Sequence, residues 1–168
     1  MLHNILWLAA TVILALVQTT WPDFLTFQGV TPDLTLILVV YFAIVEGEER
    51  AMFTGAVGGI YQDVASKVVL GHNILCLVLI AYGIGRLSTR LVTEHPAVKA
   101  GLVFLAGLAQ GILYTIILYV QFPDTPVIGT LLTVVVPASF YTALITPLVF
   151  FVLSRVFGGR PAPQGSLA

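Results

Sequence analysis

The chain has 168 residues, of which 58% are hydrophobic and 9% charged, and its formal net charge is -1. Its mean hydropathy is +1.03, whereas about a quarter of the residues in a soluble domain are charged. This composition indicates an integral membrane protein. The near-neutral charge argues against a nucleic-acid partner, because phosphate recognition needs clustered lysine and arginine. The single Cys76 permits no internal disulfide.

Six apolar stretches predict an all-α integral membrane protein, a bundle of six transmembrane helices. The predicted spans are 5–21, 32–46, 50–64, 69–86, 99–120 and 127–154, within one domain over residues 1–157. The stretch before the first span has no lysine or arginine, and no small-residue cleavage site follows it, so we expect it to be retained rather than removed as a signal peptide. Residues 158–168 are rich in Pro, Gly and Ser and are expected to form a disordered cytoplasmic tail.

The second and third spans are short, at about 15 residues or roughly 22 Å of helix each. The second opens at Thr31-Pro32-Asp33, where a capping threonine, a proline and an acidic residue favour a helix start. A re-entrant pair that never crosses is therefore an alternative to two full crossings. Such a pair places the charged turn from Glu46 to Arg50 inside the membrane, which disfavours it.

The positive charges fall in alternate gaps between the spans. With the N-terminus in the cytoplasm, six of the seven Lys and Arg residues lie on the cytoplasmic side, and Lys67 alone lies outside. This bias predicts six crossings with both termini in the cytoplasm. Arg86, Arg90 and Lys99 form a predicted cytoplasmic basic patch. Membrane topology explains it fully, and contacts with anionic lipid or a cytoplasmic filament are the alternatives.

Polar residues in or beside the spans are the candidate functional groups, because an ionisable side chain at the centre of a membrane helix costs about 2.5–3.5 kcal/mol. Asp63 either pairs with Lys67 one turn on or clamps neighbouring helices or a partner. Gln110 lies mid-span and should face the bundle interior or a partner rather than acyl chains. The candidates for partner binding or helix packing are Asp33, Glu46, Gly55, Gly59, Gln62, Asp63, Asn73, Gly107, Gln110 and Gly111.

Two pairs of glycines have the spacing that lets membrane helices approach closely. They are Gly55-x-x-x-Gly59 in the third span and Gly107-x-x-x-Gly111 in the fifth. Each pair predicts packing either within this chain or against the helix of another protein.

No catalytic motif is recognisable, and no cofactor or metal is expected. His72 lies at the outer start of the fourth span, whereas His3 and His95 belong to the opposite surface, so these side chains do not form a metal-ligand set. Asp33 and Asp63 share the outer side, which leaves an acid pair as the enzymatic alternative.

The order of these residues resembles a known bacterial family, the rod shape-determining membrane protein MreD. The resemblance covers roughly residues 1–157 and rests on Thr31-Pro32-Asp33-Leu34, Glu46-Gly47, Gly55, Gly59, Gln62-Asp63, Gly71-x-Asn73 and Tyr82-x-x-Gly85-Arg86. It implies a non-enzymatic scaffold of the cell-elongation machinery in the cytoplasmic (inner) membrane. It also implies binding to the membrane-anchored protein MreC, and coupling of an actin-like filament to the peptidoglycan polymerase and transpeptidase. Acidic Glu48-Glu49 departs from the more basic turn expected there.

The resemblance also implies an architecture similar to the substrate-binding subunits of energy-coupling-factor transporters, which gives a small-molecule transport subunit as the alternative function. Such subunits often dock through Ala-x-x-x-Ala in their first helix. Here Ala9 is followed at the fourth place by Ile13, and Ala15 by Thr19. We therefore favour the scaffold, with the Gly55/Gly59 face either receiving MreC or fixing the helix hairpin that does.

Overall fold

The computed structural model describes residues 2–20, 26, 29–66, 71–88, 95–124 and 126–158. These residues form helices and no strand. The six helices are α1 Leu2–Thr19, α2 Leu34–Val45, α3 Glu48–Ser66, α4 His72–Ser88, α5 Pro96–Gln121 and α6 Val127–Phe157. Their ends lie within three residues of the predicted spans. The predicted tail after Gly158 lies outside the described residues, as do Trp21, Lys67, Arg90 and Arg160.

The shortest helix, α2, lies at the centre of the bundle. It has 12 residues, or about 18 Å of helix, and every residue from Leu34 to Ile44 is buried. It contacts each of the other five helices. Because its sequence is apolar on all sides, it has no face to turn toward water, and such a helix is stable when protein surrounds it completely.

The longest helix pairing in the N-terminal part joins α3 and α4, which run antiparallel. A Cβ atom added at Gly59 would lie 2.6 Å from Ile74 Cα, and one at Gly55 would lie 3.0 Å from the Leu77 carbonyl oxygen. At the other end of the pair, a Cβ at Gly85 would lie 2.8 Å from Glu48 Cα. The two backbones therefore touch along the pair, which only glycine permits.

The second pairing joins α5 and α6. Gly107 and Gly111 face Ser139 and Val135 on α6, and a Cβ at either glycine would overlap these side chains. A π-helical turn, Leu131–Val135, interrupts α6 just before Pro137. Proline lacks the N–H that would bond four residues back, so the helix widens locally at this point.

Large apolar side chains cover the outer faces of the bundle. α5 and α6 are long and apolar enough to cross a membrane, whereas Asn4–Gln18, Leu34–Val45 and His72–Ser88 are apolar but shorter. The most exposed large apolar residues on the two long helices include Leu105, Ile116, Val120, Ile128, Leu132, Phe140, Leu144 and Leu148.

The bundle has two chemically distinct ends. One, the Asp33 end, brings together the start of α2, the last turns of α3 and the start of α4. The other, the Arg50 end, holds the end of α2, the start of α3 and the last turn of α4. By the predicted topology, the Asp33 end faces outward and the Arg50 end faces the cytoplasm.

Candidate functional site

Asp33 is the centre of a polar network at the Asp33 end. It is the N-cap of α2, where its Oδ1 accepts a hydrogen bond of 2.9 Å from the Leu36 backbone N–H. Its own N–H donates to Thr142 Oγ1 on α6 at 3.0 Å. The carboxylate therefore satisfies the first turn of the central helix, and the backbone N–H of the same residue ties α2 to α6.

Glutamine side chains from neighbouring helices complete this network. Gln62 on α3 donates to Asp33 Oδ1 at 3.2 Å, and Gln110 on α5 donates to Oδ2 at 3.0 Å. The side-chain Oε1 of Gln18 on α1 accepts from the Thr35 N–H and hydroxyl at 3.0 and 2.9 Å. The Asp33 carboxylate thus accepts from neutral amides of two helices, and a third amide binds the first turn of α2.

A second carboxylate, Asp63, stabilises the start of α4. It is fully buried, and its Oδ2 accepts from the Gly71 N–H at 2.8 Å. Its Oδ1 accepts from the backbone N–H and side-chain amide of Asn73, at 2.8 and 2.9 Å. These N–H groups have no partner within their own helix, and a negative charge complements the positive end of its dipole. The structure shows the bonds from Asp63 to the start of α4, and Lys67, its other predicted partner, lies outside the described residues.

An open cavity of about 610 Å³ lies beside this network, and a smaller one of about 140 Å³ between α5 and α6 shares its wall. The polar side chains that line the larger cavity are Gln18, Thr31, Asp33, Gln62, Asn73, Gln110 and Tyr114. A cavity of this size is within the range that holds small organic groups. The arrangement offers hydrogen bonds and one carboxylate, which suits binding rather than chemistry.

One atom of this wall lacks a partner. Gln110 Oε1 is buried and accepts no hydrogen bond, although the amide nitrogen of the same side chain is bound to Asp33. A buried acceptor without a donor costs about 1–3 kcal/mol. Because Gln110 lines both cavities, a group that enters either one can supply that donor.

His72 lies behind the cavity, where it packs two helices together. His72 is buried, its ring stacks on that of Tyr114 with centroids 4.3 Å apart, and its Nε2 lies 3.2 Å from the Tyr114 carbonyl oxygen. Within the described parts of the chain, no three His, Cys, Asp or Glu side chains are grouped as metal ligands. The ring therefore packs α4 against α5.

The Arg50 end carries charged pairs instead of an amide network. Arg50 bonds Glu46 Oε2 at 2.9 Å and Asn4 Oδ1 at 2.9 Å, and its guanidinium lies over the ring of Trp7. Trp7 in turn donates to Thr54 Oγ1 at 2.8 Å. Trp7 is half-buried against α3.

The two described residues of the predicted basic patch, Arg86 and Lys99, contact other side chains of this chain. Arg86 pairs with Glu48 at 3.2 Å and lies over the ring of Tyr82. The Lys99 ammonium lies 5.5 Å from the ring centroid of Phe150. Both contacts leave the charges accessible, so they are compatible with a role at the membrane surface.

The structure sorts the sequence-predicted candidates into three groups. Asp33, Gln62, Asn73 and Gln110 come together at the cavity, with Asp63 bonded to Asn73, whereas Glu46 lies at the opposite end. The four glycines line helix contacts inside the chain.

The sequence reasoning missed the parts of the site that come from α1 and α6. They are Gln18, which closes one wall, and Thr142, which holds the Asp33 backbone. A usable signal for Gln18 was its amide within the predicted first span, where lipid would leave it unpaired. Tyr114, one turn from Gln110 on α5, also lines both cavities.

Comparison with known proteins gives one family. The model of the rod shape-determining protein MreD matches residues 1–157 of the 168, which includes all six helices. No curated protein and no solved structure matches the chain.

Proposed function

Because the chain belongs to the MreD family of rod shape-determining proteins, we propose that it is a scaffold of the cell-elongation machinery in the bacterial inner membrane. It binds MreC and helps couple an actin-like filament to the peptidoglycan polymerase and transpeptidase. The observation that carries the proposal is the family match over residues 1–157. The family is a shape-determining structural protein and is not known as an enzyme.

Six crossings with both termini in the cytoplasm form part of this proposal. The family and the two long apolar helices suggest a membrane protein. The re-entrant alternative concerned α2 and α3. The contacts of Gly59 with Ile74 and of Gly85 with Glu48 support full crossings, because α3 pairs with α4 over nearly its whole length. The length of the short α2 does not need to match the thickness of the lipid, since the other helices surround it.

The glycine faces are poor candidates for the partner surface. Gly55 and Gly59 are covered by α4, and Gly107 and Gly111 by α6. A bulky residue at Gly59 therefore pushes apart two helices of this chain. Loss of MreC binding by the variant Gly59→Leu would thus not show that MreC contacts Gly59. The partner must bind elsewhere.

We place the MreC contact at the cavity of the Asp33 end. Helix association in lipid gains little from the hydrophobic effect, so a partner is held by shape and by satisfied polar contacts. The cavity supplies both, with hydrogen-bonding groups from α1 to α5 around one opening. The apolar outer faces of α5 and α6 offer shape alone.

The alternative function, a small-molecule transport subunit, is favoured by one observation. The cavity of about 610 Å³ is polar and open at the predicted outer end, as a substrate site would be. The missing Ala-x-x-x-Ala pattern in α1 speaks against it, and the family match favours the scaffold.

Affinity purification of the tagged protein in mild detergent separates the two functions. Recovery of MreC in stoichiometric amount supports the scaffold, whereas ATP-binding-cassette subunits or a retained small molecule support transport.

Substitutions at two adjacent residues of α3 then test whether MreC contacts the cavity. Ala65 lines the cavity and Val64 is exposed without lining it.

We expect Ala65→Trp to fill the cavity mouth and to lower MreC recovery several-fold, and we expect Val64→Trp to leave it unchanged. Equal recovery with both variants shows that MreC binds away from the cavity while the scaffold function stands. Absence of MreC from the wild-type sample contradicts the scaffold function itself.

A further inference from the structure

The cavity wall carries a negative charge without a matching positive one among the described residues. Asp33 faces the cavity, and none of the described residues that line it is Lys, Arg or His. The three groups that bond its carboxylate, a backbone N–H and two glutamine side chains, are all neutral. Hydrogen bonds from neutral groups stabilise the ionised carboxylate without neutralising its charge.

The whole Asp33 end is short of positive charge. By the sequence, four aspartates belong to this end, Asp23, Asp33, Asp63 and Asp124, and the one Lys or Arg residue there is Lys67. A cleft with walls of low dielectric constant focuses such a field and raises the local concentration of cations.

The same wall contains an acceptor that awaits a donor. Gln110 Oε1 is buried without a partner beside Asp33. Tyr114 adds an aromatic ring to the lining, and aromatic faces attract ammonium and guanidinium groups. A negative charge, a free carbonyl oxygen and an aromatic ring together form a surface for a cationic hydrogen-bond donor.

We propose that the cavity binds a cation that donates hydrogen bonds, a primary ammonium or a guanidinium group, at the wall formed by Asp33 and Gln110. This inference rests on the proposed function only in its choice of the cavity as the docking site, and it adds the chemistry that this site selects. The cation is either a free organic amine or a Lys or Arg side chain of the docked partner.

The glutamine side chains allow the site to be stable both empty and occupied. A primary amide carries two donors and one acceptor that accepts twice. In the empty site, Gln62 and Gln110 donate to Asp33. When the cation donates to Asp33 instead, either amide can rotate and present its carbonyl oxygen to the same cation. A fixed cationic residue in their place would block the site.

The test uses the purified full-length protein in detergent and follows its thermal unfolding with n-butylammonium chloride. The neutral n-butanol and equal concentrations of NaCl are the controls for apolar binding and ionic strength. A ligand that binds the folded state raises Tm with saturation. We expect a saturable rise with n-butylammonium and none with the two controls. A rise of equal size with n-butanol or NaCl overturns the proposal.

Two matched variants show whether the binding uses the cavity. Asp33→Asn removes the charge but keeps a residue that caps helices well. Asp124→Asn removes the same charge from an exposed position at this end that does not line the cavity. Loss of one charge-assisted hydrogen bond should raise the half-saturating concentration about tenfold or more for Asp33→Asn. Asp124→Asn should leave it unchanged, and equal effects of the two variants contradict the proposal.

A third variant keeps the proposal testable if Asp33→Asn does not fold. Gln110→Met removes the unpartnered acceptor from the wall and keeps the length of the side chain, so half-saturation should need a several-fold higher concentration of n-butylammonium than in the wild type. An unchanged half-saturating concentration overturns the proposal.

The source of the cation follows from repeating the titration on the MreC complex. A response lost in the complex assigns the site to a side chain of MreC, and an unchanged response assigns it to a free amine. If MreC copurifies but n-butylammonium does not raise the Tm of the free protein, the cation site is contradicted and the scaffold function stands. A response without copurification leaves the site standing and contradicts the scaffold.

Discussion

The two ends of the bundle stabilise their charged side chains by different means. At the Asp33 end, Asp63 is fully buried and accepts bonds from the backbone and the side chain that begin α4. At the Arg50 end, Glu46 and Glu48 pair with arginines whose side chains are 25% and 65% exposed. The donors that the structure describes at Asp63 are neutral, whereas the glutamates of the Arg50 end bond positive charges.

This difference has an energetic consequence. A buried acceptor and its donors lose the full cost of desolvation when one of them is removed, whereas an exposed ion pair returns to water with little loss. Substitutions at the Asp33 end should therefore be more costly than substitutions at the Arg50 end. The three variants below test this in order of expected effect.

The largest effect is expected for Asp63→Ala. The change removes the acceptor for the N–H groups of Gly71 and Asn73 and for the Asn73 amide, at a position that is fully buried. We expect a loss of about 3 kcal/mol or more in the free energy of unfolding. SDS titration of the detergent-purified protein, followed by circular dichroism, measures it.

Asp124→Ala is the control for this variant, because Asp124 is an exposed aspartate at the same end. It should change stability by less than about 0.5 kcal/mol. Asp63→Asn should fall between the two, since an amide retains one accepting oxygen. If Asp63→Ala unfolds at the same SDS fraction as the control, the carboxylate is not what stabilises the start of α4.

The sequence predicted the six helices because each is an apolar run bounded by charge, proline or glycine, and every helix end lies within three residues of its prediction. It did not predict that α2 lies at the centre. An all-apolar segment such as Leu34–Val45 suits lipid and protein interior equally, so composition does not distinguish the two environments.

The network around Asp33 could be predicted only in part. An N-cap aspartate and a mid-span amide are local signals, and they pointed to Asp33 and Gln110. Their hydrogen bond joins residues 77 positions apart, and no local pattern encodes that distance. For the glycines the pattern predicted close packing but not the neighbour, because Gly-x-x-x-Gly suits a helix of the same chain as well as a partner's.

An intermediate effect is expected for Arg50→Gln at the other end. The change removes the ion pair with Glu46, the bond to Asn4 and the stacking on Trp7. Because both charged side chains remain partly accessible, at 25% and 18%, we expect a loss of about 1 kcal/mol. The same SDS titration applies.

Arg50→Lys is the control for membrane orientation, because it keeps the positive charge that the topology prediction uses. The lysine cannot bond Glu46 and Asn4 together, as the guanidinium does. It should therefore lose much of the same stability while inserting normally. A loss at Arg50 that equals the loss at Asp63 would show that the two ends are stabilised alike.

The smallest effect is expected for Arg86→Gln. Arg86 bonds Glu48 across α3 and α4, but their side chains are 65% and 39% exposed, and its contact with the Tyr82 ring is equally accessible. Exposed pairs contribute about 0–1 kcal/mol and are screened by salt. We expect the free energy of unfolding to change by less than about 0.5 kcal/mol, and we expect this change to disappear at high salt, in roughly 1 M NaCl, where the Debye length is about the length of the ion pair.

The helices stay together in this variant because the backbone contact at Gly85, not the ion pair, sets their approach. A larger, salt-independent loss would mean that Arg86 is buried by a lipid headgroup or a partner in the purified protein, and that the Arg50 end is then no more solvated than the Asp33 end.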